Sequence, residues 1–299
     1  MELRQLKYFA MVAKTLNYSE ASRKLFITQG TLSQQIMQLE AELGEQLFVR
    51  GAHGVALSEA GEELLPYAKK TLEASDECKS KMHDLKDHLS GTINIGVTHS
   101  FSGILTGTIK DFLNKYPGVK LNIFYKTATE LFEMIYDKDV DFVLAFKPSS
   151  EYAMIDSEVL FNTSLSAIMR RGHPLSERSS VTMDELSKYG LALPGSGLQA
   201  RRAFERFVNL DTRNYDVRAE LSDPTILMDI LQSTNLVSVL SSLAVAYRPS
   251  LVAIPLEGVK KEMTGCIHTL RDGYRKNSVE VFLDMLRDTA LIEKISMGG

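Results

Sequence analysis

The chain has 299 residues, 44% apolar content and a net charge of −4. That suits a folded protein of one large domain or two to three smaller ones, and it argues against a generally basic nucleic-acid coat. Its two cysteines, Cys78 and Cys266, are far apart with no C-x-x-C, which removes a zinc site and a thioredoxin-like motif; no cofactor and no metal is expected. No basic leader followed by an apolar core opens the chain, and no apolar stretch is long enough to span a bilayer, so a soluble, cytoplasmic protein without a membrane partner is expected.

Residues Leu3 to Lys14 place Leu3, Leu6, Phe9, Ala10 and Ala13 on one helical face. Ser19 is a candidate N-cap for a second helix, with Glu20 behind it and an apolar edge of Ala21, Leu25 and Phe26. Thr28 can cap a third helix, whose Leu32, Ile36, Leu39 and Leu43 recur at amphipathic spacing before Gly44 closes it. The first turns of that helix carry Gln29, Thr31, Ser33, Gln34 and Gln35. All are hydrogen-bonding and none is acidic, as a helix entering the major groove requires: Gln can pair with adenine edges, Ser and Thr with bases or phosphates. The same composition also describes a solvated helix face. Arg4, Lys7, Lys14, Arg23 and Lys24 supply a modest basic patch ahead of it. Leu47 to Arg50 and Val55 to Leu57 then read as two short strands about a turn at Gly51-Ala52-His53-Gly54, a wing whose tip can reach the minor groove, where Arg is favoured.

Five strings in this region are specific: L-R-Q-L-K-Y-F, S-E-A-S-R-K-L, T-Q-G-T-L-S-Q-Q-I-x-x-L-E-A-E-L-G, L-F-V-R and L-S-E-A-G. Through them residues Met1 to Leu89 resemble the DNA-binding region of LysR-type transcriptional regulators. The resemblance implies a winged helix-turn-helix, double-stranded promoter DNA as partner, and contact with RNA polymerase. It puts Ser19, Arg23, Thr28, Gln29, Thr31, Ser33, Gln34, Arg50 and His53 at the DNA. Gly30 and Thr31 depart from the usual Pro and small residue, Gln34 stands where Arg is common, and Ala52 and His53 alter the wing tip.

From Ser58-Glu59 a long helix is expected to run to about Leu89, with Leu65, Ala68, Leu72, Ser75, Lys79, Met82 and Leu89 at heptad-like spacing. A helix of roughly 45 Å outreaches a small winged domain, so a homodimer or homotetramer built through this seam is expected. The alternative is packing against the chain's own second half. The domain boundaries expected are 1–58 for the winged helix-turn-helix, 59–89 for the linker helix and 90–299 for the remainder.

Beyond the break at Ser90-Gly91, Thr92–Val97, Ile104–Tyr116, Lys120–Tyr125, Glu130–Tyr136 and Asp141–Phe146 read as β-α-β-α-β, an α/β pattern with parallel strands. Val159–Arg170 reads as one longer strand. A second α/β unit follows from Met183, and Ser278–Ile295 is a closing helix. Two α/β lobes, about 90–161 with 268–299 and about 162–267, would enclose a cleft. I-G-V-T-H-S, K-Y-P-G-V-K-L, V-D-F-V-L-A-F and R-G-H-P-L resemble the effector-binding domain of the same regulators, which is similar to a periplasmic binding protein. Asn235 stands where that family usually has Gly, and is expected to take a left-handed conformation. Parallel strands present their C-terminal ends on one edge, which gathers Thr98, His99, Ser100, Thr127, Thr129, Lys147, Ser196 and Gly197. This set suits a small polar or anionic effector, unless these residues only cap strands and turns.

Gly195-Ser196-Gly197-Leu198-Gln199-Ala200 with Glu220 fits a dinucleotide fingerprint, but no catalytic constellation accompanies it. Neither G-x-S-x-G nor H-E-x-x-H occurs. The expected function is therefore a ligand-responsive transcriptional regulator and not an enzyme. The competing readings are an NAD-dependent enzyme with an accessory DNA-binding module and an effector-independent architectural DNA binder.

Overall fold

The computed structural model describes residues 1–51, 54–84, 89–148, 152–208, 215–245, 248–259, 263–271 and 273–288, without the side chains of 50, 51, 79, 80, 83 and 84. Two units are formed, residues 1–85 and 86–299.

In the first unit, α1 (Leu3–Thr15), α2 (Tyr18–Leu25) and α3 (Gln29–Leu43) precede a hairpin of β1 (Phe48–Gly51) and β2 (Gly54–Leu57), and α4 (Glu59–Asp84) follows. The core is Leu6, Phe9, Val12, Ala21, Leu32, Ile36, Leu39, Leu47, Phe48 and Ala68, the apolar faces of the three short helices closed by the hairpin. Thr28 caps α3 by accepting from Thr31 N (3.1 Å), and Gly44 ends it at φ 80°, where a Cβ would be strained. Ser19 is not the cap of α2: Asn17 is, its Oδ1 accepting from Glu20 N at 3.0 Å. Phe26 does not join the apolar edge either. It ends α2 in a left-handed conformation and is 94% exposed, because the turn needs a reversal there and throws the side chain outward.

The long helix packs closely on the hairpin. A Cβ on Gly61 would lie 2.2 Å from the Leu47 carbonyl oxygen, so only glycine allows the approach. Pro66 stands inside α4 and withdraws one backbone donor. The expected seam divides. Leu65, Ala68 and Leu72 pack into the core of their own unit, because α1 lies against α4, whereas Met82 is 62% exposed. The described helix ends at Asp84; residues 85–88 lie outside the described residues, as does the Lys79 side chain. Leu89 packs against the core of the second unit.

The second unit opens with β3 (Gly91–Val97), a short 3-10 turn (His99–Phe101), α5 (Ser102–Lys115), β4 (Val119–Tyr125), α6 (Ala128–Tyr136) and β5 (Phe142–Phe146). The chain continues through β6 (Ile155–Thr163), β7 (Leu165–Arg170), α7 (Met183–Leu186), β8 (Leu191–Pro194), α8 (Gln199–Phe207), β9 (Val217–Leu221) and α9 (Pro224–Ser233). It closes with β10 (Ser238–Ser241), a 3-10 turn (Ser242–Val245), β11 (Leu251–Pro255), β12 (Met263–Leu270) and α10 (Asn277–Arg287). One lobe is built on a sheet of order β4-β3-β5-β12-β6. There β3 runs parallel to β4 and β5 while β12 is antiparallel to β5 and β6. The other lobe carries β7 between β10 and β11, all antiparallel, and the parallel pair β8-β9.

The run read as one strand over 159–170 is two strands in two sheets, with Ser164 at the crossing. Thr163 and Leu165 on either side are both buried, so the apolar pattern continues while the sheet changes. The return crossing precedes Met263, earlier than the expected 268, since all of β12 pairs with β6. Asn235 is not left-handed; positive φ among the described non-glycine residues occurs at Leu16, Phe26 and Lys138. Its Oδ1 instead accepts from Arg170 Nε (3.2 Å) and Nη2 (2.7 Å). The closing helix is described to Arg287, and residues 289–299 lie outside the described residues.

Candidate DNA-reading surface and effector cavity

In the first unit, burial of Leu32, Ile36 and Leu39 leaves the opposite face of α3 to solvent. Gln29, Thr31 and Gln34 are exposed and Ser33 is half-buried. Ser19 Oγ donates to Gln29 Oε1 at 2.9 Å, so the first residue of α3 is oriented by α2. Thr28 Oγ1 also lies 2.9 Å from Thr31 Oγ1; its hydroxyl is committed to the helix start. Arg23 is exposed and forms no ion pair among the described residues, whereas Lys24 is drawn to Glu20 (2.8 Å). Arg50 pairs with Val55 in the hairpin, but its side chain, like all of His53, lies outside the described residues.

In the second unit a cavity of about 430 Å³ opens at the C-terminal ends of β3, β4 and β8, within the size range of small-molecule sites. Thr98, His99, Ser100, Thr127, Thr129 and Gly197 line it. Lys147 and Ser196 do not. Phe146 and Pro148 face the cavity on either side of Lys147, and the alternation of an extended chain sends the residue between them the other way. Ser196 sits exposed in its loop, with Gly197, Leu198 and Gln199 taking the wall instead. Lys147 contributes its backbone: Gln199 Nε2 donates to the Lys147 carbonyl at 3.0 Å, tying α8 of one lobe to the strand end of the other.

Much of the wall is not marked in the sequence. Tyr125, Phe132, Phe146, Tyr152, Leu227 and Met228 line it, with Arg202 and Arg206. Tyr125, the last residue of β4, follows the same strand-end rule that picked Thr98; the others depend on how helices and lobes pack. Thr127 caps α6 while facing the cavity, so capping and lining coincide there. Glu130, the acidic side chain among the lining residues, is bound by Thr127 N, Thr127 Oγ1 and Lys126 Nζ. The Thr127 hydroxyl bond first, then the backbone bond and Lys126, hold its carboxyl down at about 2. Burial lowers the His99 pKa, and Arg248 adds to that while Asp223 opposes it. Glu220, the acid of the possible dinucleotide fingerprint, lies 2.9 Å from Arg201 Nη1, which occupies the group a ribose would need. No cluster of potential metal ligands occurs among the described residues, and no helix among them is long and apolar enough to cross a membrane.

Comparison with known proteins agrees with this two-part arrangement. Residues 3–62 match the family profile described as bacterial regulatory helix-turn-helix protein, lysR family, and residues 86–291 match the LysR substrate binding domain. The chain is 27% identical over 230 residues to the HTH-type transcriptional regulator CysB of Burkholderia cenocepacia, covering 76% of this chain and 74% of that one. A full-length OxyR variant from Pseudomonas aeruginosa has the same fold, with a TM-score of 0.70, 23% identity and coverage of 97% and 96%. So does full-length CbnR in complex with its target DNA, with a TM-score of 0.55, 20% identity and coverage of 96% and 99%. With both of its parts matched in order, this chain belongs to the LysR family of bacterial helix-turn-helix transcriptional regulators.

Proposed function

We propose that the chain reads promoter DNA through the exposed start of α3 and that a small molecule in the cavity of the second unit controls its regulatory output. Gln29 and Ser33, four residues apart on one helical face, are the base-reading side chains. Arg23 and Arg50 contribute through the DNA backbone or the minor groove, Ser19 orients Gln29, and Thr28 holds the helix start. Thr31, Gln34 and His53 complete the contact surface. The cytoplasm is the compartment for such a regulator, and the chain is a binding protein rather than an enzyme. It assembles as a dimer or tetramer through the exposed part of α4, where Tyr67 is 67% exposed and Met82 62%.

The observation that carries the effector reading is the cavity itself, which gathers strand ends from both lobes, while the bond from Gln199 to the Lys147 carbonyl ties the two lobes together. A ligand there has differential contacts with open and closed lobes, which is what a shift in population requires. The test pairs a thermal-shift screen of metabolites with a reporter driven by DNA flanking the chain's own gene. Ser100→Ala and Thr129→Val should keep DNA affinity in gel shifts and lose the response to the molecule found. A normal response in both variants would move the effector site elsewhere.

A further inference from the structure

The cavity lining combines two chemically different sets of side chains, and together they narrow what it takes. One set is apolar and largely aromatic: Tyr125, Phe132, Phe146, Leu227 and Met228, with the Tyr152 ring 4.5 Å from that of Phe132. A wholly polar or inorganic solute would leave this wall without a partner. The other set is cationic. Arg202 and Arg206 stand four residues apart on α8 and both line the cavity, so they share one helical face. Arg202 enters no ion pair among the described residues. Lys126 is already paired with Glu130 at 3.2 Å, which cancels the remaining cation against the lining acid.

The helix starts around the cavity differ in the same sense. Thr127 closes α6 with a capping box, and Asp223 accepts from Thr225 N and Ile226 N at the start of α9. The N-cap of α8, Leu198, makes no side-chain bond, so backbone donors and positive helix potential remain available beside Arg202.

We infer that the cavity takes a small organic acid with a ring-sized apolar body, its carboxylate held by Arg202 at the open start of α8 and its body against Tyr125, Phe132 and Met228. Arg202 is then the residue that selects for charge, and the aromatic wall the feature that selects against short acids. The inference rests on the cavity being the effector site and names the chemical class of that effector.

Calorimetric titration of the full-length protein with three probes tests it. The probes are 3-phenylpropanoate, acetate (the charge without the body) and 3-phenylpropanol (the body without the charge). The aromatic acid should bind saturably, and the other two about tenfold or more weaker. Arg202→Gln should weaken the acid about tenfold, the scale of losing a charged hydrogen bond, should leave the alcohol as it was, and should flatten the salt dependence of acid binding. Phe132→Leu should weaken the acid and the alcohol alike. Saturable acid binding that ignores Arg202→Gln, or acetate binding as tightly as the aromatic acid, overturns the inference and leaves the effector cavity standing. No saturable binding by any probe overturns the inference too. The effector reading fails only if the metabolite screen is also silent.

Discussion

His268 gives the most direct quantitative test of the second unit. It is wholly buried on β12, with Nδ1 2.8 Å from Ser157 Oγ and Nε2 3.2 Å from the Ala145 carbonyl oxygen. A carbonyl only accepts, so Nε2 carries the proton and Nδ1 accepts from the serine hydroxyl. The imidazole and the Phe132 ring stand nearly perpendicular with their centres 5.0 Å apart, and Phe132 is part of the cavity wall. Burial pushes its pKa down to about 4, with Lys147 adding to the fall and the Ala145 bond opposing it. The folded pKa thus lies below the unfolded value of about 6.5. The unfolded chain binds the proton first as pH drops, so the stabilisation is complete above about pH 6.5 and is lost as pH falls toward 4. Between about pH 7 and pH 5 this single group should remove about 2 kcal/mol. Urea unfolding of wild type and His268→Gln, followed by tyrosine fluorescence since the chain has no tryptophan, isolates the term. His99 and His173, whose pKa values burial also lowers, are common to both proteins and cancel. Equal loss of stability in the two proteins over that range would refute the neutral, doubly bonded histidine.

Thr28→Ala removes the cap of α3 and should cost about 1 kcal/mol of helix stability, lowering affinity for specific and random duplexes equally in gel shifts. Gln29→Ala should instead lose about 1–3 kcal/mol on the specific site alone, and equal losses on both duplexes would end its readout role. Met82→Glu should release smaller species in sedimentation without unfolding the winged unit, whereas Leu72→Glu should unfold it, because Leu72 packs into that core. Iodoacetamide at neutral pH should label Cys78, which is exposed, and spare Cys266, whose burial raises its thiol to about 11. Peptide mass spectrometry showing modified Cys266 in folded protein would contradict this.

Elements whose causes are local are legible in the chain of residues alone. Thr28 and Gly44 delimit α3 because capping and left-handed closure are properties of one or two residues. The Leu32, Ile36, Leu39 stripe marks the buried face of the same helix because its period repeats every turn. Likewise Thr98, His99, Ser100, Thr127 and Thr129 could be gathered from strand ends alone, since parallel strands share an edge.

Features that depend on partners distant in the chain emerge only in the folded molecule. Buried strands keep the same apolar pattern whichever sheet they join, so nothing local marked the crossing at Ser164 or the earlier return before Met263. Leu65, Ala68 and Leu72 have coiled-coil spacing, yet α1 covers them; a stripe reports that a face is buried and not what buries it. Asn17 and Ser19 are both competent caps, but α2 starts at Tyr18, which puts Asn17 at the cap and Ser19 inside the helix, where its hydroxyl bonds Gln29 instead. Arg202, Phe132 and Met228 meet at one cavity only because α6, α8 and α9 from two lobes converge on it. Such convergence is a property of packing in three dimensions, which periodicity along a single element does not encode.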